Sequence, residues 1–222
     1  GYTEKAPDQP LGMKQQAGMI KAFLDALGID RVDLVGNDSG GGAAQVFAAN
    51  NPDRVRTFTL TNSEVHAYDM NTPASQQLKT MMESGALVKT LQSAAQNPAM
   101  GKMAMTMAYE NAAALPDDAI LTYVTPLVSS EDRVQQLYAY GAATTNADLI
   151  EIEPKLKTFP APTLVLWGLA DTFFDVKWAH WLKETLPNVV EVVELENAPV
   201  FWPEERPQYL NQKLREFWAA HE

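Results

Sequence analysis

The chain contains no cysteine among its 222 residues. This absence excludes disulfide bonds, a thiolate nucleophile and a thiolate-bound metal. Histidine is also scarce: His66, His180 and His221 are far apart, and no two of them are four residues apart. We therefore expect neither a metal site nor a cofactor.

Positive charge is in short supply as well. The chain has 17 lysine and arginine residues against 28 acidic residues, so its formal net charge is −11, and the acidic residues are spread along the chain. Such a chain repels a phosphate backbone, so nucleic acid is not an expected partner. No apolar run approaches the length of a transmembrane helix, and the first ten residues lack the regions of a signal peptide. We expect a soluble, cytoplasmic protein with no membrane partner.

Strand-like runs alternate with helical patterns in two parts of the chain. Helical spacing of apolar residues covers 11–28 and 40–51, and strand-like runs cover 32–35, 55–60, 163–167 and 189–195. Strands that alternate with helices pair in parallel. The pattern predicts an α/β fold with four parallel strands in this chain.

Residues 67–158 differ from the rest in sequence pattern, because they contain helical segments and prolines but no strand-like run. We predict a helical insertion between two parts of a core, 1–66 and 159–222. Six methionines punctuate the insertion: Met81, Met82, Met100, Met103, Met105 and Met107. Two interpretations of them stay open, the plastic core of a separate subdomain or the lining of an adaptable apolar cavity.

The stretch "LVGNDSGGGAAQ" contains the pattern Gly-x-nucleophile-x-Gly, with Asp38 between Gly36 and Gly40. In that pattern the central side chain lies on a strained turn between a strand and a helix. The alternative is that Asp38 only caps the helix. A register with Ser39 as the nucleophile is rejected, because it puts Asn37 where the first glycine must be.

Beyond the insertion, "PTLVLWGLADTFFD" is a buried strand followed by Gly168 and, three residues later, Asp171. With the Asp38 motif, the insertion and "PEERP" before the last helix, the chain resembles an α/β-hydrolase of the aspartate-nucleophile group. That group includes haloalkane dehalogenases and epoxide hydrolases. The resemblance implies an α/β-hydrolase fold in which residues 67–158 form a helical cap.

The resemblance also implies roles for individual residues. Asp38 would attack an electrophilic carbon to form an alkyl ester, and the Ser39 N–H would stabilise the oxyanion when that ester is hydrolysed. Asp171 would orient a base. Glu64 matches an alternative acid position of some dehalogenases, and its other interpretation is a solvated loop residue.

One position departs from the family pattern in a way that affects catalysis. Aligning "ENAPVFWPEERP" on its Phe-x-Pro-Glu-Glu tail puts Val200 where the family has its histidine base, and valine cannot take a proton. Without a general base the ester would persist. Among the histidines, His66 is the main candidate for a catalytic or substrate-contacting group. It lies in the segment that follows the C-terminal end of the second strand, and ligands bind at that edge of open α/β sheets. Its alternative is an ordinary loop histidine.

A further departure is Ser39, because the family commonly has tryptophan there and dehalogenases use that tryptophan to hold halide. The sequence predicts a hydrolase of a small, largely apolar substrate, an epoxide, a haloalkane or an ester. A catalytically impaired pseudoenzyme or a small-molecule binding protein is the alternative. In either case we expect Asn37, Ser39, Val200 and Phe201 to contact the small molecule.

The beginning of the sequence, "GYTEKAPD", resembles the segment that follows the fourth strand of the fold. The family's first strands are then outside this sequence, and residues 32–35 form an uncovered apolar edge, which parallel sheets rarely tolerate. We expect a further N-terminal segment or a partner chain to pair beside residues 31–36 and complete the sheet.

Overall fold

The computed structural model describes residues 2–3, 5–6, 8–68 and 70–222. The chain divides into two compact units. The sheet unit comprises Met13–Asp69 and Thr145–Glu222, and the helical unit comprises Gly1–Gly12 and Met70–Thr144. No helix in the described ranges is long and apolar enough to cross a membrane.

Helices account for most of the regular structure. In chain order they are α1 Met13–Ala26, α2 Asp38–Asn50, α3 Pro73–Glu83, α4 Ala86–Gln96, α5 Pro98–Ala104, α6 Asp117–Val124, α7 Glu131–Ala143, α8 Ala147–Glu151, α9 Glu153–Leu156, α10 Lys177–Thr185, α11 Trp202–Glu205 and α12 Pro207–Ala219. Short 3-10 segments cover Pro52–Arg54, Ala112–Ala114 and Thr125–Val128.

A parallel sheet forms the centre of the sheet unit. Its strands, in spatial order, are β1 Val32–Asn37, β2 Val55–Ser63, β3 Thr163–Gly168 and β4 Val189–Leu195. All three neighbouring pairs are parallel. The predicted α/β class and the four parallel strands are confirmed.

Two strands run further than the sequence pattern predicts. β1 continues through Gly36, which pairs with Leu60, and β2 continues through Ser63. The last three residues of β2 are polar, so their sequence is typical of a loop. They are nevertheless buried, and Asn62 is completely so. Both extensions bring β1 and β2 to the site described below.

Burial differs between the centre and the edges of the sheet. Every residue of β3 is buried, whereas β1 and β4 are partly exposed. Within the described residues β1 pairs only with β2, and Val35 on β1 is 40% exposed. That a further segment covers this edge stays a prediction.

The core of the sheet unit lies on both faces of β3. On one side Leu164 and Leu166 pack with Trp202 and Phe217 of the C-terminal helices. On β2, Phe58 meets Phe159 edge-to-face, with ring centroids 5.8 Å apart. These contacts pack the last two helices and the segment before β3 against the sheet.

The boundaries of the helical unit differ from the predicted insertion at 67–158, because residues 145–158 group with the sheet unit. Helices α8 and α9 bury Leu149 and Leu156 there, and the Lys14 backbone N–H donates to Asp148 Oδ2 at 2.9 Å. The interpretation of the insertion as a cap stays a prediction.

Inside the helical unit, Ile120, Val124 and Ala94 are the most deeply buried apolar side chains. Gly101 lies so close to Ile120 that a Cβ at residue 101 would be 2.4 Å from it. None of the six methionines noted above is fully buried, and Met103 is 68% exposed. The centre of this unit is therefore not built from methionine.

Candidate active site

Asp38 lies at the junction of β1 and α2 with a left-handed backbone, φ 51°. A residue other than glycine at positive φ is strained, and such residues cluster at functional sites. Asn37, not Asp38, is the N-cap residue of α2, and its side chain makes no cap hydrogen bond. The strained turn that the motif predicts is therefore present at Asp38, and its role as a nucleophile stays a prediction.

Two of the glycines around Asp38 have no room for a side chain, and a third has room for one. A Cβ at Gly36 would lie 2.7 Å from the Gly41 Cα, and a Cβ at Gly41 would lie 2.3 Å from the Ser63 Cβ. A Cβ at Gly40 would meet no atom of the described residues within 4 Å. The close approach of α2 to β2 therefore occurs at Gly41 and not at Gly40.

The Asp38 carboxyl is poorly solvated. Burial raises its pKa to about 6, and the opposing effect comes from a hydrogen bond with the Ser39 backbone N–H. At neutral pH the carboxyl is therefore mostly ionised, in a residue that is half-buried. A carboxylate in that state can act as a nucleophile or as a base.

Asp171 follows β3 and is held by three hydrogen bonds. Its Oδ1 accepts from the backbone N–H groups of Phe173 at 2.7 Å and Phe174 at 3.2 Å, and its Oδ2 accepts from Asn62 Nδ2 at 2.8 Å. Burial raises the pKa of Asp171 to about 6, and the negative charge of Asp38 contributes to the rise. The structure therefore brings these two predicted site residues into electrostatic contact.

Asn62, at the end of β2, was not predicted as a site residue. Its Nδ2 also donates to the Gly168 carbonyl at 2.9 Å, while its Oδ1 accepts from the Gly168 N–H at 2.7 Å and from Trp202 Nε1 at 3.2 Å. Every hydrogen-bonding position of this buried amide is used. The signal in the sequence was an asparagine directly after a buried run, next to a strand that ends in an acid.

Val200 is linked to Asn37, the residue before Asp38, and its place at the family's histidine position stays a prediction. It is 2% exposed, and its carbonyl accepts a 2.9 Å hydrogen bond from Asn37 Nδ2. The same nitrogen donates to Thr61 Oγ1 at 2.8 Å and to the Asn62 carbonyl at 3.2 Å. Asn37 thus ties the segment after β4 to the end of β2, and its amide group is engaged within the protein.

Glu64, immediately after β2, is 4% exposed, so its interpretation as a solvated loop residue is wrong. Its Oε2 is buried and has no hydrogen-bond partner among the described residues. The Ser39 hydroxyl bonds to the carboxyl group. Burial, followed by the negative charge of Asp38, raises the pKa of Glu64 to about 8. At neutral pH Glu64 is therefore mainly a neutral acid.

The histidines lie apart from these carboxyl groups. His66 has a positive φ of 47°, stacks on Trp181 with ring centroids 4.7 Å apart, and places Nδ1 3.4 Å from Glu153 Oε2. His180 faces Glu194 at 3.3 Å, and the Nδ1 of His221 contacts the Phe217 carbonyl oxygen at 2.7 Å. No histidine is hydrogen-bonded to a site carboxyl within the described residues. A catalytic role for His66 stays a prediction.

Several predicted contacts stay predictions in the same way. Ser39 and Phe201 directly follow Asp38 and Val200 along the chain, and the contact of these two residues and of Asn37 with a substrate stays a prediction. Across the described ranges, no group of three or more His, Asp and Glu side chains is arranged to hold a metal ion.

Comparison with known proteins supplies the family. The family model described as the alpha/beta hydrolase fold matches residues 1–201. The chain belongs to the α/β-hydrolase family. The structure agrees: a 2-hydroxy-6-oxo-6-phenylhexa-2,4-dienoate hydrolase from Rhodococcus sp. strain RHA1 superposes with a TM-score of 0.79 at 17% identity, over 99% of this chain and 76% of that one. At that identity the likeness shows the fold alone.

Two curated relatives illustrate the breadth of the family. A 2-hydroxy-6-oxononadienedioate/2-hydroxy-6-oxononatrienedioate hydrolase from Paraburkholderia xenovorans is 31% identical over 78% of this chain and 58% of its own length. The monoacylglycerol lipase ABHD6 of Mus musculus is 24% identical over 99% of this chain and 65% of its own length. This α/β-hydrolase chain thus spans roughly three fifths of the length of the curated relatives it matches. Neither relative is named as a haloalkane dehalogenase or an epoxide hydrolase.

Proposed function

We propose that this α/β-hydrolase chain acts on a small, largely apolar electrophile through an ester formed at Asp38. The observation that carries the proposal is the left-handed Asp38 at the elbow with its carboxyl group desolvated. Strained backbone is retained where the surrounding structure and function require it. A desolvated carboxylate is also a stronger nucleophile than one in water.

In the first step, an Asp38 oxygen bonds to the electrophilic carbon and the carbon–oxygen bond of an epoxide breaks. The epoxide oxygen stays on the neighbouring carbon as an alkoxide and takes up a proton. The neutral Glu64 carboxyl can donate that proton. In the second step, water adds to the ester carbonyl of Asp38 and passes a proton to the Glu64 carboxylate left by the first step, so that the diol leaves and both carboxyl groups are restored. Without a histidine at residue 200 to activate the water, this step is slow. The Ser39 N–H would stabilise the oxyanion of this step.

Among the three substrate classes, the chemistry of the site favours the epoxide. A haloalkane needs a donor for the departing halide, and Ser39 offers no indole N–H of the kind that dehalogenases use. An ester attacked by a carboxylate gives a mixed anhydride instead of an alkyl ester. The two curated relatives are named as hydrolases of a dienedioate and of monoacylglycerol, so they support hydrolysis in general and not one of these substrates.

A second function has one observation in its favour. The sequence alignment puts Val200 at the position of the family's histidine, and no base is hydrogen-bonded to Asp171 among the described residues. A site of this kind can bind a small molecule without turning it over. A catalytically impaired binding protein is therefore the alternative, and the experiment below separates the two.

We also propose that another strand, from this polypeptide or from a partner chain, pairs with the exposed edge of β1. Support comes from Val35, which is 40% exposed on a strand that the described residues pair on one side only. Hydrogen exchange tests this. In the native protein, the β1 amides that point away from β2 should be protected, and their rapid exchange beside protected neighbours would show that the edge is open.

The intact mass of the protein after incubation with styrene oxide, a primary haloalkane or a phenyl ester tests the main proposal. We expect an adduct with the epoxide that is absent from Asp38→Asn. Asparagine is the suitable control because it tolerates positive φ. If product forms and no adduct persists, the site contains a working base. If the compound binds but gives neither adduct nor product, the chain is the catalytically impaired binding protein.

A further inference from the structure

Gln45, in the middle of α2, is a completely buried polar side chain that the proposed mechanism does not use. Its Nε2 donates one hydrogen bond of 3.1 Å to the Gly41 carbonyl, within the same helix, and a shorter one of 2.7 Å to the Glu64 carbonyl. The second bond crosses from α2 to the residue that follows β2. Gln45 therefore connects the helix that begins at Asp38 to the part of the chain that carries Glu64.

Close packing alone does not account for an amide at residue 45. The Oε1 of Gln45 is buried and has no hydrogen-bond partner among the described residues. An apolar side chain of similar volume would avoid the free-energy cost of that unpaired oxygen. The two hydrogen bonds of Nε2 offset this cost, and the one to Glu64 is the bond that reaches beyond α2.

Glu64 contacts one side of α2 through three residues that are spaced three apart, Ser39, Gly42 and Gln45. The Ser39 hydroxyl bonds to the carboxyl group. A Cβ at Gly42 would be 3.4 Å from Glu64 Oε2, so the backbone of residue 42 lies close to that oxygen. Gln45 bonds to the carbonyl oxygen of the same residue. This row of α2 residues therefore holds Glu64 by both its side chain and its backbone.

The end of the strand ladder places Glu64 next to Asp38. Asp38 and Ser63 form a parallel bridge, and Glu64 is the next residue along the chain. The negative charge of Asp38 accordingly contributes, after burial, to the raised pKa of Glu64. Because β2 ends at Ser63, the Glu64 carbonyl is bonded by a side chain of α2 and not by a neighbouring strand. Gln45 thus sets the course of the chain at the point where it leaves the sheet.

We propose that Gln45 is a positioning residue for the proton transfer, which holds the Glu64 backbone so that the Glu64 carboxyl group stays beside Asp38. This inference rests on the proposed function for the role of Glu64 as proton donor, and it names the residue that keeps the donor in place. Gln45 acts only through Glu64. Without its hydrogen bond, the backbone of Glu64 is free to turn the carboxyl group toward solvent.

The titration of Glu64 tests the inference without any chemical step. Carbon-13 NMR of labelled glutamate side chains measures it in the full native protein and in Gln45→Met, which keeps the length of the side chain and removes the amide. Glu64→Gln identifies the resonance. The pKa of Glu64, about 8 in wild type, should fall by at least about one pH unit, because a more solvated carboxyl group ionises more easily. An unchanged pKa in folded Gln45→Met would overturn the inference.

Asn51→Ala is the matched control for loss of a side-chain hydrogen bond. Asn51 Nδ2 donates to the Phe47 carbonyl at 3.0 Å, so this bond lies at the end of α2 and does not reach β2. Its loss should leave the pKa of Glu64 as it is in wild type. If Asn51→Ala lowers that pKa as much as Gln45→Met does, the cause is a general loosening of α2 and the inference is wrong.

A measurement on the wild-type protein tests the same link if Gln45→Met does not fold. The side-chain N–H resonances of Gln45 should shift with pH at the midpoint of the Glu64 titration, because their acceptor belongs to that residue. Those of Asn51 should not. Gln45 resonances that do not respond to the ionisation of Glu64 would overturn the inference.

The rate of adduct formation with styrene oxide separates this inference from the proposed function. Gln45→Met should lower the maximal rate at pH 7 by about tenfold or more, as expected when a general acid is misplaced, and leave the half-saturating concentration nearly unchanged. A raised half-saturating concentration at an unchanged maximal rate would contradict a positioning role. A wild-type protein that forms no adduct, but in which the pKa of Glu64 depends on Gln45, fails only the proposed function. Equal rates of adduct formation in wild type and Gln45→Met fail only this inference.

Discussion

At the scale of single residues, burial without a counter-charge sets the protonation of the site. Asp38 and Asp171 have raised pKa values near 6 and Glu64 one near 8, in that case with the Asp38 charge as the second cause. Two carboxyl groups whose pKa values differ in this way can divide the roles of base and acid. At neutral pH, Asp38 is the ionised member of its pair and Glu64 the neutral one.

Glu64→Gln should stabilise the protein at neutral and alkaline pH. The folded state keeps the Glu64 proton up to about pH 8, while the unfolded state loses it near 4.5, so wild-type stability falls as the pH rises between these values. Glutamine removes this penalty, which amounts to as much as about 5 kcal/mol at 1.4 kcal/mol per pKa unit.

Urea unfolding at pH 4.5, 6 and 8 measures this effect. The difference between Glu64→Gln and wild type should grow with pH, and it should stay constant for the exposed control Asp117→Asn. A difference for Glu64→Gln that does not change with pH would show that Glu64 is ionised in the folded protein at neutral pH.

At the scale of elements, the site depends on the close approach of α2 to the end of β2. Gly41 permits the approach, because its Cα faces Ser63 with no room for a side chain, while Gly40 faces open space. The two neighbouring glycines therefore differ in what they contribute, although the sequence motif includes Gly40 and not Gly41.

Alanine at these two positions should have opposite effects. Gly40→Ala should stabilise the protein by up to about 1 kcal/mol, since alanine is the better helix former and its methyl group meets nothing. Gly41→Ala should destabilise it by about 1–3 kcal/mol, because the methyl group overlaps Ser63. Thermal unfolding of the two variants measures this, and equal effects would contradict the packing of α2 on β2.

The end of β2 also joins the site to the C-terminal helices through Asn62. Asn62→Ala should destabilise the protein by about 3 kcal/mol or more, because it leaves the Gly168 backbone groups and the Trp202 Nε1 buried without partners. The control is Asn188→Ala, which removes a single exposed hydrogen bond to Pro160 and should cost less than about 1 kcal/mol. Similar losses in urea unfolding for both variants would contradict the role of Asn62.

At the scale of the whole molecule, periodicity was sufficient for the fold and spacing for part of the site. The four strands follow from apolar runs, whereas Asp171 and Val200 were singled out by the resemblance to the family, and the roles of Asp38, Asp171 and Val200 stay predictions. The burial of Glu64 and the hydrogen bonds of Asn62 could not be predicted, because "TNSE" reads as a polar loop. Their burial depends on partners distant in sequence, such as Gln45, whose Nε2 donates to the Glu64 carbonyl at 2.7 Å.

The same limit applies to the division of the chain. A change in composition marked the insertion, but the end of the helical unit at residue 144 follows from the packing of α8 and α9 in the sheet unit. A change in composition along a sequence shows only that one segment differs from its neighbours. Which unit a short helix joins is decided by the apolar residues it buries, here Leu149 and Leu156.

The mass of the peptide that contains Asp38, taken from wild type and Val200→His at intervals after exposure to styrene oxide, tests the central claim most directly. We expect one epoxide adduct on Asp38 in wild type that persists, because no base activates water at residue 200. In Val200→His the adduct should form and then decay as diol appears. An unmodified Asp38 peptide in both proteins, at a pH above 7 where the carboxyl is ionised, would contradict the assignment of Asp38 as the nucleophile.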